Sequence, residues 1–162
     1  MKKIILLAVF YSCTTPLFSQ NIFKRNAAYV ELGGNGLFTS LNYERQFTSH
    51  PGFGARVGAG IYFTNHILTL PVGINYLVKL SSSHSFIDVG FGVTYTRADV
   101  TLYSSTKPSN PNYINTHYIN YVPSVGFRRQ TSKNWMFRLS LTPVFNQYDG
   151  LPFIGASIGK CF

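Results

Sequence analysis

Glu44 and Arg56 stand six residues either side of His50. The segment between them carries "TSHPG" (48–52), a turn signal. In an antiparallel hairpin about that turn they are direct cross-strand neighbours on the polar face. The chemistry this predicts is ion pairing. Asp88 and Arg138 share that face, each a few residues from a turn at the same end of the chain's zigzag. Two acids and two bases balance, so one closed ionic cluster of Glu44, Arg56, Asp88 and Arg138 is expected. Catalytic chemistry is harder to find. His50, His66 and His84 sit in turn segments. His84 and Ser85 are adjacent, and adjacent strand residues face opposite sides. No nucleophile–base pair, metal-ligand cluster or phosphate loop is legible, so no catalytic site, metal or cofactor is expected.

The elements that position these charges alternate with period two, and helical periodicity is nearly absent. "FGARVGAGIY" (53–62) sets Phe53, Ala55, Val57, Ala59 and Ile61 against Gly54, Arg56, Gly58, Gly60 and Tyr62. "LFTSLNYERQF" (37–47) puts Leu37, Thr39, Leu41, Tyr43 and Phe47 on one side. "AYVEL", "LTLPVGINYLV", "FIDVGFGVTYT", "INYVPSVGFR", "WMFRLSLTPVF" and the closing "LPFIGASIGKCF" behave alike. "GGNG" (33–36) reads as a turn, and the loops near Gly34, Asn65, Pro108 and Gly150 are expected at the outer surface, with both termini on the other side of the membrane. The pattern predicts a closed eight-stranded antiparallel up-and-down transmembrane β-barrel. Strands of about 9–11 residues span a bilayer when tilted. Pro71, Pro123 and Pro143 fall inside strands, where each removes a ladder donor. Local bulges are expected there.

The polar faces separate a membrane barrel from a soluble, lipocalin-like binding barrel. A soluble wall would show water a face rich in Lys and Glu. Here that face is mostly Gly, Ser, Thr and Asn, which suits a cramped lumen. Only 12% of residues are charged while 16% are aromatic, which excludes a disordered chain. Phe47, Phe53, Tyr76, Phe86, Phe127, Trp135 and Phe162 gather at the end holding the termini. Tyr62, Tyr95, Phe145 and Tyr148 gather at the other, as interfacial girdles do. In a lumen this narrow the four charges must be paired and hydrogen-bonded. They are expected to plug its periplasmic half.

Residues 1–19 read as a signal peptide: basic Lys2 and Lys3, apolar "IILLAVFY", and small Ser19 before the cut. Residues 20–162 then form the barrel domain. Cys13 as a lipidated first residue is the alternative, poorly supported by the preceding "FYS". Cys161 is left alone, so neither an internal disulfide nor a thiol metal site can form.

The closing strand carries a family resemblance. Phe162 ends the chain, with Ile158, Ala156 and Ile154 at alternate positions behind it and Lys160 as the exception. This resembles the C-terminal signal by which outer-membrane assembly machinery recognises its clients. The mature chain resembles the small eight-stranded outer-membrane barrels of Gram-negative bacteria, of the OmpA/OmpX-like type. That resemblance implies an outer-membrane location after export to the periplasm. The lipid A deacylases of this architecture carry a His-x-Ser pair, which this chain lacks. The function expected is structural or surface-interacting. A lipid-modifying enzyme or narrow transporter is the alternative.

Net charge is +9, with basic residues read as scattered over lumen, rims and loops. Membrane lipid and lipopolysaccharide are therefore expected neighbours rather than nucleic acid. An extracellular or periplasmic partner is left open. Alternation continues past Tyr95 through Arg97, Asp99 and Tyr103, and returns beyond Lys107 through Tyr113 and His117. That hairpin is the expected interaction surface, because projecting strands offer edges for strand addition.

Overall fold

The alternating segments become staves of one closed wall. The computed structural model describes residues 23–62, 67–81, 84–96, 118–145 and 150–162. The segments are β1 (Asn26–Leu32), β2 (Thr39–Gln46), β3 (Phe53–Tyr62), β4 (Ile67–Lys79), β5 (Ser85–Thr96), β6 (Tyr118–Gln130), β7 (Trp135–Leu141), β8 (Val144–Phe145), β9 (Gly150–Leu151) and β10 (Ile154–Cys161). β8 continues the stave of β7, and β9 leads into β10, so ten segments make eight antiparallel staves. Each stave pairs with its sequence neighbour. β1 pairs with β10, from Ala27↔Cys161 to Leu32↔Ala156, and closes the barrel. The fold expected from alternation is the fold observed. Closure leaves no edge of unpaired N–H groups facing lipid.

Turn chemistry sets the register. The β2–β3 ladder places Glu44 opposite Arg56, symmetric about His50. At β6–β7, Asn134 takes a φ of 63°, and its N–H donates to the Thr131 carbonyl at 2.9 Å.

The prolines do not make bulges. Between β3 and β4 the ladder skips from Val57↔Val72 to Gly60↔Thr69 in unchanged register, leaving a gap at Pro71. Between β6 and its neighbouring stave it stops at Val125↔Leu141 and resumes at Tyr121↔Phe145, again in unchanged register. Pro123 and Pro143 therefore stand opposite each other. No residue is inserted, as a bulge would require. The ladder simply loses the bonds the missing donors would have made.

One stretch departs from the expected pattern. Leu37, expected on the outer face, is fully buried at a φ of 71°. β2 begins only at Thr39, and residues 33–38 fold inward around a 3-10 turn, Gly34–Gly36.

Candidate functional site

The lumen is the chemically distinctive part of the molecule, and it holds two layers. The layer nearer the termini is ionic. Arg128 binds Glu44 Oε1 through Nη1, and the same nitrogen lies 3.9 Å from Asp88 Oδ2. Arg138 donates to Glu31 Oε1 at 2.7 Å and to Asp88 Oδ2 at 3.3 Å. Ser157 Oγ accepts from Arg138 Nε at 3.3 Å. Asn75 donates to Asp88 Oδ1 at 3.3 Å, and Gln46 to Glu44 Oε1 at 3.0 Å. The Tyr29 ring lies 4.8 Å from the Arg138 guanidinium carbon. Every one of these charges is buried.

The strand order explains the network. Arg128 and Arg138 are direct cross-strand partners, a pairing that like charge disfavours. Carboxylates from β2 and β5 lie within reach of both, and Glu31 of β1 binds Arg138. β2 and β6 lie on opposite walls of the barrel, so the Glu44–Arg128 bond spans the lumen. An eight-stranded barrel is narrow enough for two long side chains to meet that way.

The second layer is the segment 33–38, folded into the half of the lumen nearer the loops. Thr69 Oγ1 donates to the Gly36 carbonyl at 3.1 Å, and Thr94 Oγ1 donates to that of Asn35. The Asn35 amide can present its oxygen to Arg56, 3.1 Å from both Nε and Nη2. Space for the turn comes from the wall: a Cβ on Gly92 would lie 2.1 Å from the Asn35 amide nitrogen. Leu37 packs with Val122 and Val144, flanked by Phe38 and Phe153.

The structure brings Glu44, Asp88 and Arg138 into one network and leaves Arg56 out of it. Arg56 is opposite Glu44 in register, yet it donates to Ser124 Oγ at 3.0 Å. The Glu44 carboxylate is engaged by Arg128 from across the lumen, and Arg56 reaches toward the loop layer. Glu31 and Arg128 complete the network and were missed. Their signal was present: Arg128 lies two residues beyond inward-facing Gly126, and Glu31 two beyond Tyr29. Among the described residues no three His, Cys, Asp or Glu side chains group to hold a metal. Phe162 completes the closing seam, its N–H donating to the Asn26 carbonyl at 2.9 Å. Ile154, Ala156 and Ile158 face outward. The hairpin residues Arg97, Asp99, Tyr103, Lys107, Tyr113 and His117 lie outside the described residues, as do residues 1–22.

The outer wall inverts a soluble barrel. Val57, Ile74 and Leu139 are 52%, 55% and 61% exposed, and Val30, Leu41, Val89, Val125 and Ile158 extend the belt to every stave. Phe47, Phe53, Tyr76, Phe127, Trp135 and Phe162 are exposed at the terminal end, and Tyr95 and Phe145 at the other. Phe86 departs from this girdle: it is buried, edge-on to Phe23 at 5.8 Å. Tyr148 and the Tyr62 side chain are not among what the structure describes. Lys160, the exception in the closing strand, carries its ammonium 4.7 Å from the Trp135 ring centroid and donates to the Lys133 carbonyl at 3.3 Å. Its stem lies along the wall while its charge reaches the rim. Leu139→Arg, placed well inside the belt, should lower stability in lipid vesicles by about 2–4 kcal/mol. Unchanged denaturant unfolding would mean that this wall does not face hydrocarbon.

A closed eight-stranded wall, apolar outside and polar inside, defines the class of small outer-membrane β-barrels. Among solved structures, the N-terminal β-barrel domain of Pseudomonas aeruginosa OprF matches with a TM-score of 0.55 at 12% identity, over 85% of this chain and 96% of that one. Yersinia pestis Ail, determined in a phospholipid bilayer nanodisc, matches with a TM-score of 0.51 at 10% identity, over 86% of this chain and 100% of that one. No family model and no curated protein matches the sequence. At these identities the likeness is one of fold. Fold and apolar belt together place the chain in the outer membrane.

Proposed function

We propose that this protein is a closed outer-membrane barrel that works through its wall and its rims, as a structural or surface-interaction protein, and conducts nothing. The observation that carries this is the double filling of the lumen. An ionic layer bridges the walls in one half, and the segment 33–38 occupies the other. Reconstituted in a planar bilayer, the intact protein should show no steady conductance. A large steady conductance would overturn the reading and favour the transporter.

The partners follow from where charge faces out. Lys24, Arg25, Arg45, Lys79, Arg129, Lys133 and Lys160 all lie at the terminal rim. The described acids, Glu31, Glu44 and Asp88, all point inward. The described basic residues are thus sorted between lumen and one rim rather than scattered. A rim carrying only cations beside interfacial aromatics suits the phosphates of the adjoining lipid leaflet. With the termini toward the periplasm, that leaflet is the inner one. Lipopolysaccharide would then meet the opposite rim, and Phe162 would present itself to the assembly machinery.

A further inference from the structure

We propose that the wall between Pro123 and Pro143 is a lateral entry through which the acyl chain of a membrane lipid reaches an apolar pocket of the lumen, displacing Leu37.

Two independent features coincide there. The first is in the backbone. Pro123 and Pro143 face each other across the ladder, and neither has an N–H to give. No ladder pair forms between Val125↔Leu141 and Tyr121↔Phe145. Within hydrocarbon a missing wall bond is costly, because lipid supplies no substitute. This part of the wall is therefore the easiest to part. The second feature is the lining. A second apolar cluster of Ala27, Tyr29, Met136 and Cys161 lies at the terminal end, but behind the gap, beside Ser124 and Thr142, the lumen presents Val122 and Val144, with Leu37 packed on them. Pro71 opens a smaller gap, and the lumen there holds its own buried ring between Thr69 and Gly73, with no apolar cluster beside it. Among the described residues, the double-proline gap is the one backed by a cluster of buried apolar side chains.

Leu37 is placed to move. It holds a φ of 71°, a region a branched apolar residue rarely adopts. Its loop is tied to β4 and β5 rather than to the β6–β7 seam, by Thr69 on the Gly36 carbonyl and Thr94 on that of Asn35. Leu37 can therefore swing away while those bonds stay. The gap also lies at lipid depth. Pro123 is seven residues from Gln130, at the terminal end of β6. That is about 23 Å along a strand, or roughly 16 Å of height at a 45° tilt. An apolar band about 25 Å tall still surrounds it there. What lies against the wall at that height is an acyl chain, so an acyl chain is the occupant. The ionic layer below closes the route, which makes this a binding pocket and leaves the barrel non-conducting.

Phosphatidylcholine with a diazirine at the end of one acyl chain tests the site. The full barrel is reconstituted in vesicles containing it, photolysed, and mapped by peptide mass spectrometry. Adducts are expected on Leu37, Val122 or Val144 as well as on the outer wall. Pro123→Val with Pro143→Val restores both donors and should reduce lumenal adducts at least tenfold without changing those outside. Pro71→Val should leave lumenal labelling unchanged. Adding unlabelled lipopolysaccharide identifies the source: competition assigns the pocket to its acyl chains, and persistence assigns it to phospholipid. Adducts confined to outward residues in the unmutated protein would overturn the proposal. So would undiminished lumenal labelling when both prolines are replaced.

Discussion

Arg128→Ala should destabilise the barrel by about 3–5 kcal/mol, the cost of stranding buried charge. The guanidinium it removes binds Glu44 from the opposite wall and lies 3.9 Å from Asp88. Three buried acids would then face Arg138 and the more distant Arg56. Removing Glu44 as well should recover part of the loss, because the double variant no longer strands that carboxylate. A coupling energy of about 0.5–3 kcal/mol between the two substitutions is the expected signature of contact. Arg56→Ala is a different case. It gives up hydrogen bonds to Ser124 and Asn35 and should cost less, about 1.5–3 kcal/mol. Combined with Glu44→Ala it should show a smaller coupling than Arg128 does, because Arg56 faces Glu44 across the ladder without bonding to it. Urea unfolding in lipid vesicles measures all of these. Strong coupling of Glu44 to Arg56, with none to Arg128, would reverse the assignment of the lumen-spanning bond.

That contrast shows what the sequence could and could not say. Alternation assigns a residue to the wall or the lumen, and the hairpin about His50 set Glu44 opposite Arg56 correctly. Backbone register does not determine where a long side chain ends. In a narrow barrel an arginine reaches the far wall as readily as its neighbour. The partner of Glu44 is therefore 84 residues away on β6. Arg128 was itself legible by alternation, since Arg129 beside it must face outward. Its destination was not, because strand periodicity carries no information about direction within the lumen.

The inward loop was illegible for another reason. "GGNG" is good turn chemistry wherever the turn goes. Its direction is decided by the walls, where Gly92 and Gly155 leave space that only a three-dimensional register reveals. The proline gap is similar. Pro123 and Pro143 are 20 positions apart in sequence and read singly as bulge sites. Only the ladder shows that they meet, and that one gap accommodates both.

Gly33→Ala should cost about 2–6 kcal/mol and release the loop layer from the lumen. Gly33 turns the chain from β1 into the barrel at φ 72° and ψ −151°, a conformation essentially confined to glycine. Forcing a side chain into such a conformation costs on the order of 1–3 kcal/mol. The new Cβ would also lie 2.2 Å from the Ile154 carbonyl oxygen, a backbone atom of the neighbouring strand. Overpacking of that kind adds about 1–3 kcal/mol. The strand is fixed by its ladder to β1 and β7, so the loop is what yields. Gly92→Ala makes the informative comparison. Its Cβ would meet the end of the Asn35 side chain, which can rotate aside, so the cost should be smaller and the loop should remain in place. Chymotrypsin reads the difference. Leu37 is fully buried in the unmutated barrel, and cleavage after Leu37 or Phe38 should be absent there and in Gly92→Ala. In Gly33→Ala it should appear, with the remaining staves still folded. If Gly33→Ala keeps both its stability and its resistance to cleavage, the segment 33–38 is not held in the lumen through this glycine.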